Sequence, residues 1–367
     1  MNFKKTAVAS AVGATLAISG VASSVAYADG HSVQLYGRVN NVIKLQDKDY
    51  TDAAKAAAAA GGPLGTDDES STNVSTIGSR VGIKASAPIN ESTTAHARFE
   101  WSASTVDETG AFGDTRIGEI GVTGDFGTVK AGNMWSTFYN VVGTHMDPTV
   151  TVGAVLYSTG TLLPYRVSNA IQYSNSFGAV NVSAEIRLSD EDDPDEAPGA
   201  ATEKIGGSDG NALGVSFMAT ENLLLAVAVD QSDGVVGDGV PPATVAPDDD
   251  EDVDRVGWAA KWSQDNWWAS LSWGETDVDG DSIAQTQIHV GADFGNQLTA
   301  WLGYGEHDID ISGASGIEEP TAVTLNVTKR IGNSGFRVYY EGIMMSDGDD
   351  VYTYDQDWHN IGMRIDF

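Results

Sequence analysis

The sequence predicts an all-β fold: a transmembrane antiparallel β-barrel of about 16 strands. Three observations predict it. Apolar and polar residues alternate with period two along nearly the whole chain from His31 onward, which is the signature of strands with two unlike faces. The connections between these stretches are short, then long, in turn, as in a barrel with tight turns at one end and extended loops at the other. Beyond the N-terminal segment, no apolar run reaches the roughly 18 residues a membrane-spanning helix needs.

The elements follow in chain order. Met1 to Lys5 is a short basic start, Thr6 to Val25 is small and apolar, and the stretch ends in Ala26-Tyr27-Ala28. This is the three-part layout of a secretory signal, so residues 1–28 are expected to be removed between Ala28 and Asp29, and 29–367 to form the barrel. The first strand is "VQLYGRVNNVIKL", with Val33, Leu35, Val39, Ile43 and Leu45 on one face and Gln34, Tyr36, Arg38, Asn40 and Lys44 on the other. In "SRVGIKA", Val81 and Ile83 oppose Arg80 and Lys84; in "AHARFEWSA", Phe99 and Trp101 oppose Arg98 and Glu100. "VNVSAEIRL", "RVGWAAKW" and "AVTLNVT" repeat the pattern further on. The last stretch, "HNIGMRIDF", alternates Ile361, Met363, Ile365 and Phe367 with Asn360, Gly362, Arg364 and Asp366. Its apolar side is expected to face lipid, its polar side enclosed water, and it must pair with the first strand, because lipid tolerates no open sheet edge.

The short connections include "APINES", "GDFG", "NSFGA" and "SQDN". Long ones are expected at Asp47–Ser71, Trp135–Tyr165, Asp190–Asp209, Ser232–Val253, Thr276–Asp281, His307–Glu319 and Ser346–Gln356. Within the first, "AAKAAAAAGG" (Ala53–Gly62) suits one or two helical turns. Trp101, Trp258, Trp262, Trp267, Trp268, Trp273, Trp301, Tyr340 and Phe367 lie near strand ends, where aromatic girdles sit.

The chain carries 52 acids against 20 bases and no Cys. Loss of Lys4 and Lys5 with the leader takes the net charge from -32 to -34. Such acidity excludes nucleic acid as a partner, because phosphate is repelled, and the acid-rich loops favour cations. Without Cys the exported chain relies on no disulfide.

Several pieces together resemble the general diffusion porins of Gram-negative bacteria: "SVQLYGRVNNVIKL", "SRVGIKAS", "ARFEW", "TRIGEIGVTGDFGTVKAGNMWSTFY", "YRVSNAIQYSNSFGAVNVSAEI" and the terminal Phe. The resemblance implies a homotrimer of sixteen-stranded barrels in the outer membrane, amid lipid and lipopolysaccharide, passing ions and small hydrophilic solutes. It implies that Phe367 is a signal read by the barrel-assembly machinery. It implies that one long loop, here about 135–165, folds into the pore and faces a basic wall. Carried over by motif, that wall is Arg38, Arg80, Arg116 and Arg166, with Lys84, Arg98 and Lys130 as further interior candidates; parity alone already puts Arg38 and Arg80 on the polar face. The loop departs from the family pattern in carrying a single acid, Asp147, so the field across the neck should be weak or one-sidedly positive. Even so, the overall charge tilts the expectation toward cation preference. Glu119 shares a face with Ile117, opposite Arg116. An acid there is costly in lipid, so Glu119 is expected at a trimer interface, or else a bulge reverses its face.

Other chemistry is faint. Asp277, Asp279 and Asp281 start like a calcium loop, but the twelfth position is Ile288 instead of Glu. No dedicated metal or cofactor is expected, only loosely held Ca²⁺ or Mg²⁺ at the acidic loops. No zinc spacing, phosphate-cradling loop or nucleophile elbow is present, so the chain is not expected to be an enzyme. Two alternatives stay open: a channel specific for sugars or oligosaccharides, with Tyr36 and Trp268 as stacking residues, and a barrel enzyme such as a lipase or protease.

Overall fold

The computed structural model describes residues 24–26, 30–50, 69–106, 112–150, 164–188, 210–233, 252–278, 280–310, 319–333, 335–346 and 354–367. The leader cleavage point, Ala53–Gly62, Asp279 and most of the acidic loop clusters lie outside these residues.

Sixteen strands form one closed sheet. They are β1 Ser32–Tyr50, β2 in two pieces, Glu69–Thr76 and Arg80–Asn90, β3 Thr93–Ala103, β4 Phe112–Gly124, β5 Gly127–Trp135, β6 Arg166–Phe177, β7 Val180–Arg187 and β8 Gly210–Met218. The second half comprises β9 Leu223–Asp233, β10 Asp252–Gln264, β11 Trp267–Val278, β12 Asp281–Asp293, β13 Leu298–Asp310, β14 Thr321–Arg330, β15 Phe336–Ser346 and β16 Tyr354–Asp366. Each pairs antiparallel with the next, and β16 pairs with β1 from Tyr354↔Tyr50 to Asp366↔Arg38. Closure removes every edge, as lipid requires. A short extra strand, Ser24–Ala26, pairs with Ser32–Gln34.

The two pieces of β2 pair with different halves of β1. At the break, Ser79 Oγ accepts the Asn40 amide N–H at 2.8 Å, and Asn40 Nδ2 donates to the Ile77 carbonyl at 2.8 Å. The side chains thus satisfy backbone groups that the ladder cannot. Closure ends on the terminal residue. Phe367 exchanges backbone hydrogen bonds with Gly37 in both directions, at 2.8 and 3.1 Å. Its ring lies over Gly37, where a Cβ would stand 2.5 Å from Cζ, so only Gly fits beneath it.

The alternation read from the sequence sorts the wall. Leu35, Ile83, Phe99, Val227, Leu302, Ile361 and Met363 are exposed on the outside, the face a barrel turns to lipid. Asn40, Glu100, Gln172, Asp230, Gln287 and Asn360 are buried on the inside. Three expectations need correction. Trp301 is buried and shares the inner face with His289, 5.6 Å away edge to face, so it is no girdle residue. Trp268 is also on the inner face, its ring over Gly291. The connection expected at Thr276–Asp281 is a tight hairpin, with Val278 paired to Asp281. The ladder therefore takes Asp277 and Asp281 into strands.

Candidate functional site: the basic inner wall

The strands at the β16–β1–β4 side turn bases inward at neighbouring rungs. Arg38 on β1 lies directly across from Arg80 on β2, and Lys84 on β2 across from Arg98 on β3. Opposed residues of an antiparallel pair share a face, so like charges are stacked side by side and need counter-charge. Glu100 supplies it. Its carboxylate is fully buried and receives Arg98 at 2.8 Å, Arg116 at 3.1 Å and Arg80 at 3.8 Å. Tyr36 donates to the same carboxylate at 2.9 Å and accepts from Arg98 at 2.7 Å. A second hub is Asp366, with Arg337 at 2.5 Å, Arg364 at 2.9 Å and Arg38 at 3.1 Å.

Of the residues singled out from sequence, Arg80, Arg98 and Arg116 meet on Glu100. Arg38 joins their row but pairs with Asp366, and the Lys84 ammonium sits 4.7 Å over the Tyr36 ring. Arg166 stands apart from Glu100, its guanidinium 5.6 Å over the Trp135 ring. Lys130 contacts Glu119 at 3.1 Å. Glu119 is thus a correction: it faces inward, across from Arg98. The register shifts where Glu100 pairs with Ile117 and Trp101 with Thr115, so Arg116 is the extra residue of a bulge. The bulge lets Arg116, Ile117 and Glu119 all address the interior, and the competing explanation replaces the interface expectation.

Sequence reading missed Glu100, Asp366, Arg337 and Arg364 as site residues, although period-two parity already put Glu100 with Arg98. It also missed a third hub, where Asp230 binds Arg255 at 2.9 Å and Arg187 at 3.0 Å beside Glu185.

The segment after β5 begins at Ser136, whose Oγ accepts the Tyr139 N–H at 2.9 Å and donates to the Pro164 carbonyl at 2.7 Å. This is the work of an N-cap residue. A π-helical turn, Tyr139–Gly143, and one α-turn, Thr144–Met146, follow. Phe138, Val142 and Met146 recur every fourth position, and form one apolar stripe. The stripe packs on Ala226, Ala228 and Ala259 of β9 and β10. Phe138 also lies over Gly257, where a Cβ would be 2.6 Å from Cζ. Small inward residues make room for the stripe. Further anchors are the Thr137 N–H on Glu185 at 2.7 Å and the Val150 N–H on Glu341 of β15 at 2.9 Å. Asp147 accepts from Tyr139 Oη at 3.1 Å and from Thr149 Oγ1 at 2.6 Å. Burial, and then Asp147, push the Tyr139 hydroxyl well above its ordinary pKa. Residues 151–163 lie outside the described residues.

A closed sheet with an apolar exterior and a charged, hydrogen-bonded interior defines an outer-membrane β-barrel channel. The Gram-negative porin family matches residues 10–367, and the chain belongs to that family. It is a porin of the Gram-negative outer membrane, forming a channel for passive diffusion. No curated protein matches the sequence. Among solved structures, the fold is similar to an OmpF–daunomycin complex of Salmonella typhi (14% identity, 94% of this chain and 100% of that one, TM-score 0.67). It is also similar to an anion-selective porin of Comamonas acidovorans (16% identity, 92% and 100%, TM-score 0.62). The outer membrane channel DcaP of Acinetobacter baumannii is a third (14% identity, 94% and 99%, TM-score 0.63).

Proposed function

We propose that the channel is a general diffusion pore for ions and small hydrophilic solutes, working as a homotrimer and narrowed by the segment that follows β5. The observation that carries this reading is the anchoring of that segment: its apolar stripe is seated on β9 and β10, while Val150 reaches Glu341 on β15. A chain held at two separate arcs of the inner wall narrows the bore between them, and the wide channel of an unobstructed sixteen-strand cylinder becomes a size filter. A trimeric form is named for OmpT of Vibrio cholerae, a structural neighbour at 16% identity, which supports the trimer here. Family membership supports recognition of Phe367 by the assembly machinery and contact with lipopolysaccharide, with divalent cations loosely gathered by the acidic loops.

The sugar-specific reading has Tyr36 and Trp268 on the inner face, but cations cover both rings: Lys84 and Arg98 over Tyr36, and Lys261 at 5.1 Å over Trp268. A stacking platform needs an open face. For the enzyme reading, Ser270 and His289 are opposed across the ladder, yet the Ser270 hydroxyl and His289 Nδ1 make no hydrogen bond among the described residues. Planar-bilayer recording of the purified protein is the test. The proposal expects conductance in steps of three and no saturable block by maltose-type sugars. Single-step insertion, or tight block by a sugar, would refute it.

A further inference from the structure

Resting on the reading of the chain as an open diffusion channel, we infer that the pore selects small anions over cations, despite the strongly acidic composition of the protein. Six guanidinium groups share two carboxylates on one continuous stretch of inner wall. Arg80, Arg98 and Arg116 share Glu100; Arg38, Arg337 and Arg364 share Asp366. The two hubs are one patch, because Arg38 pairs across β1–β2 with Arg80 and across β1–β16 with Asp366. Four positive charges are left over among these side chains, and three once the terminal carboxylate of Phe367, paired at Gly37 beside Arg38, is counted. Adding Lys84 and Arg166 on one side, and Asp147 and Glu341 on the other, leaves that excess unchanged.

The other described inner-wall clusters are balanced. Arg187 and Arg255 face Asp230 and Glu185, and Lys130 faces Glu119. The wall of β11 and β12 turns neutral groups inward, among them Ser270, Ser272, Gln285 and Gln287, all buried. The segment between Asp147 and Arg166 adds no acid at all. The excess positive field is therefore not cancelled from across the bore among the described residues.

The acids that dominate the net charge are concentrated, by sequence, in the long connections between strands. Screening over about 8 Å at physiological ionic strength confines their influence to the mouth. Charges that line a narrow, low-dielectric passage act at contact distance and are focused by it. Selectivity follows the nearest charges, and at the wall these are guanidinium groups. Their remaining N–H donors match carboxylate and phosphate oxygens, so the solutes favoured are small oxyanions as well as halides.

The test is the reversal potential of the purified channel in a potassium chloride gradient. The expected chloride-to-potassium permeability ratio exceeds one, on the order of ten at low salt, and shrinks as salt rises. The double variant Arg80→Gln with Arg116→Gln lowers the ratio, and Glu100→Gln raises it. Lys84→Gln, which removes a base that makes no ion pair among the described residues and lies over the Tyr36 ring, lowers it more mildly and guards against misfolding of the arginine variants. Heat-modifiable gel mobility confirms that each barrel is folded. A conducting channel that prefers potassium, or folded variants that leave the ratio unmoved, would overturn the inference while leaving the porin reading intact. Absence of conductance would instead defeat the open-channel reading itself.

Discussion

Truncating Phe138 to Ala should release the inner segment without unfolding the barrel. Phe138 is fully buried and contributes the largest ring to the stripe seated on Ala226, Ala228 and Ala259. Phe→Ala in a packed site costs about 3–5 kcal/mol. The wall beneath the ring is built of small residues, Ala226, Ala228, Ala259 and Gly257, so the lower end, about 3 kcal/mol, is the figure used. That raises the undocked population about 100-fold relative to the docked one. Val142, Met146 and the Thr137–Glu185 and Val150–Glu341 hydrogen bonds still favour docking, so the segment should open intermittently instead of leaving for good. The barrel ladder is untouched, since no strand hydrogen bond involves the Phe138 side chain. Single-channel recording at fixed voltage reads the result as larger mean conductance with added flicker. Gly257→Val should produce the same phenotype from the opposite partner, because its side chain would enter the space of the ring. If Phe138→Ala gives a folded channel whose conductance and noise equal those of the parent, the segment is not held by this stripe and the argument fails.

Acid should loosen the same segment. Burial, and then the Lys261 charge, hold His145 down at about 4, below the ordinary value of about 6.5. The docked state therefore binds fewer protons than the released state. Docking weakens as pH falls below about 6.5 and bears its full cost, on the order of 3 kcal/mol, near pH 4. Flicker should grow across that window, and His145→Gln should flatten the dependence. Asp230→Asn removes the carboxylate that Arg255 meets at 2.9 Å and Arg187 at 3.0 Å, and removal of one member of a buried ion cluster costs about 3–5 kcal/mol; the melting temperature in detergent should fall accordingly. Phe367→Ala uncovers Gly37 and weakens the β16–β1 closure, so the yield of heat-modifiable folded barrel should drop, while an apolar truncation at the exposed Ile120, Ile120→Ala, should leave it unchanged.

The recurrence of period two, and the rhythm of short and long connections, were enough to read a closed barrel of about 16 strands from the chain. Parity is a local property, so the faces of Arg38, Arg80 and Arg98 were legible within their own strands. It fails across an irregularity: the bulge at Arg116 turns Glu119 toward Lys130, and no residue type in "TRIGEIG" marks the extra position. It was equally silent on partners. Arg38 and Asp366 stand 328 positions apart, and only closure of the sheet brings them to 3.1 Å. The distribution of charge is the deepest case. Composition determined that the molecule is acidic, but fold decides where each sign resides, because loop residues enter water while alternate strand residues are forced into the bore. Which carboxylate serves which guanidinium, and the positive remainder on one wall, exist only once the strands are paired.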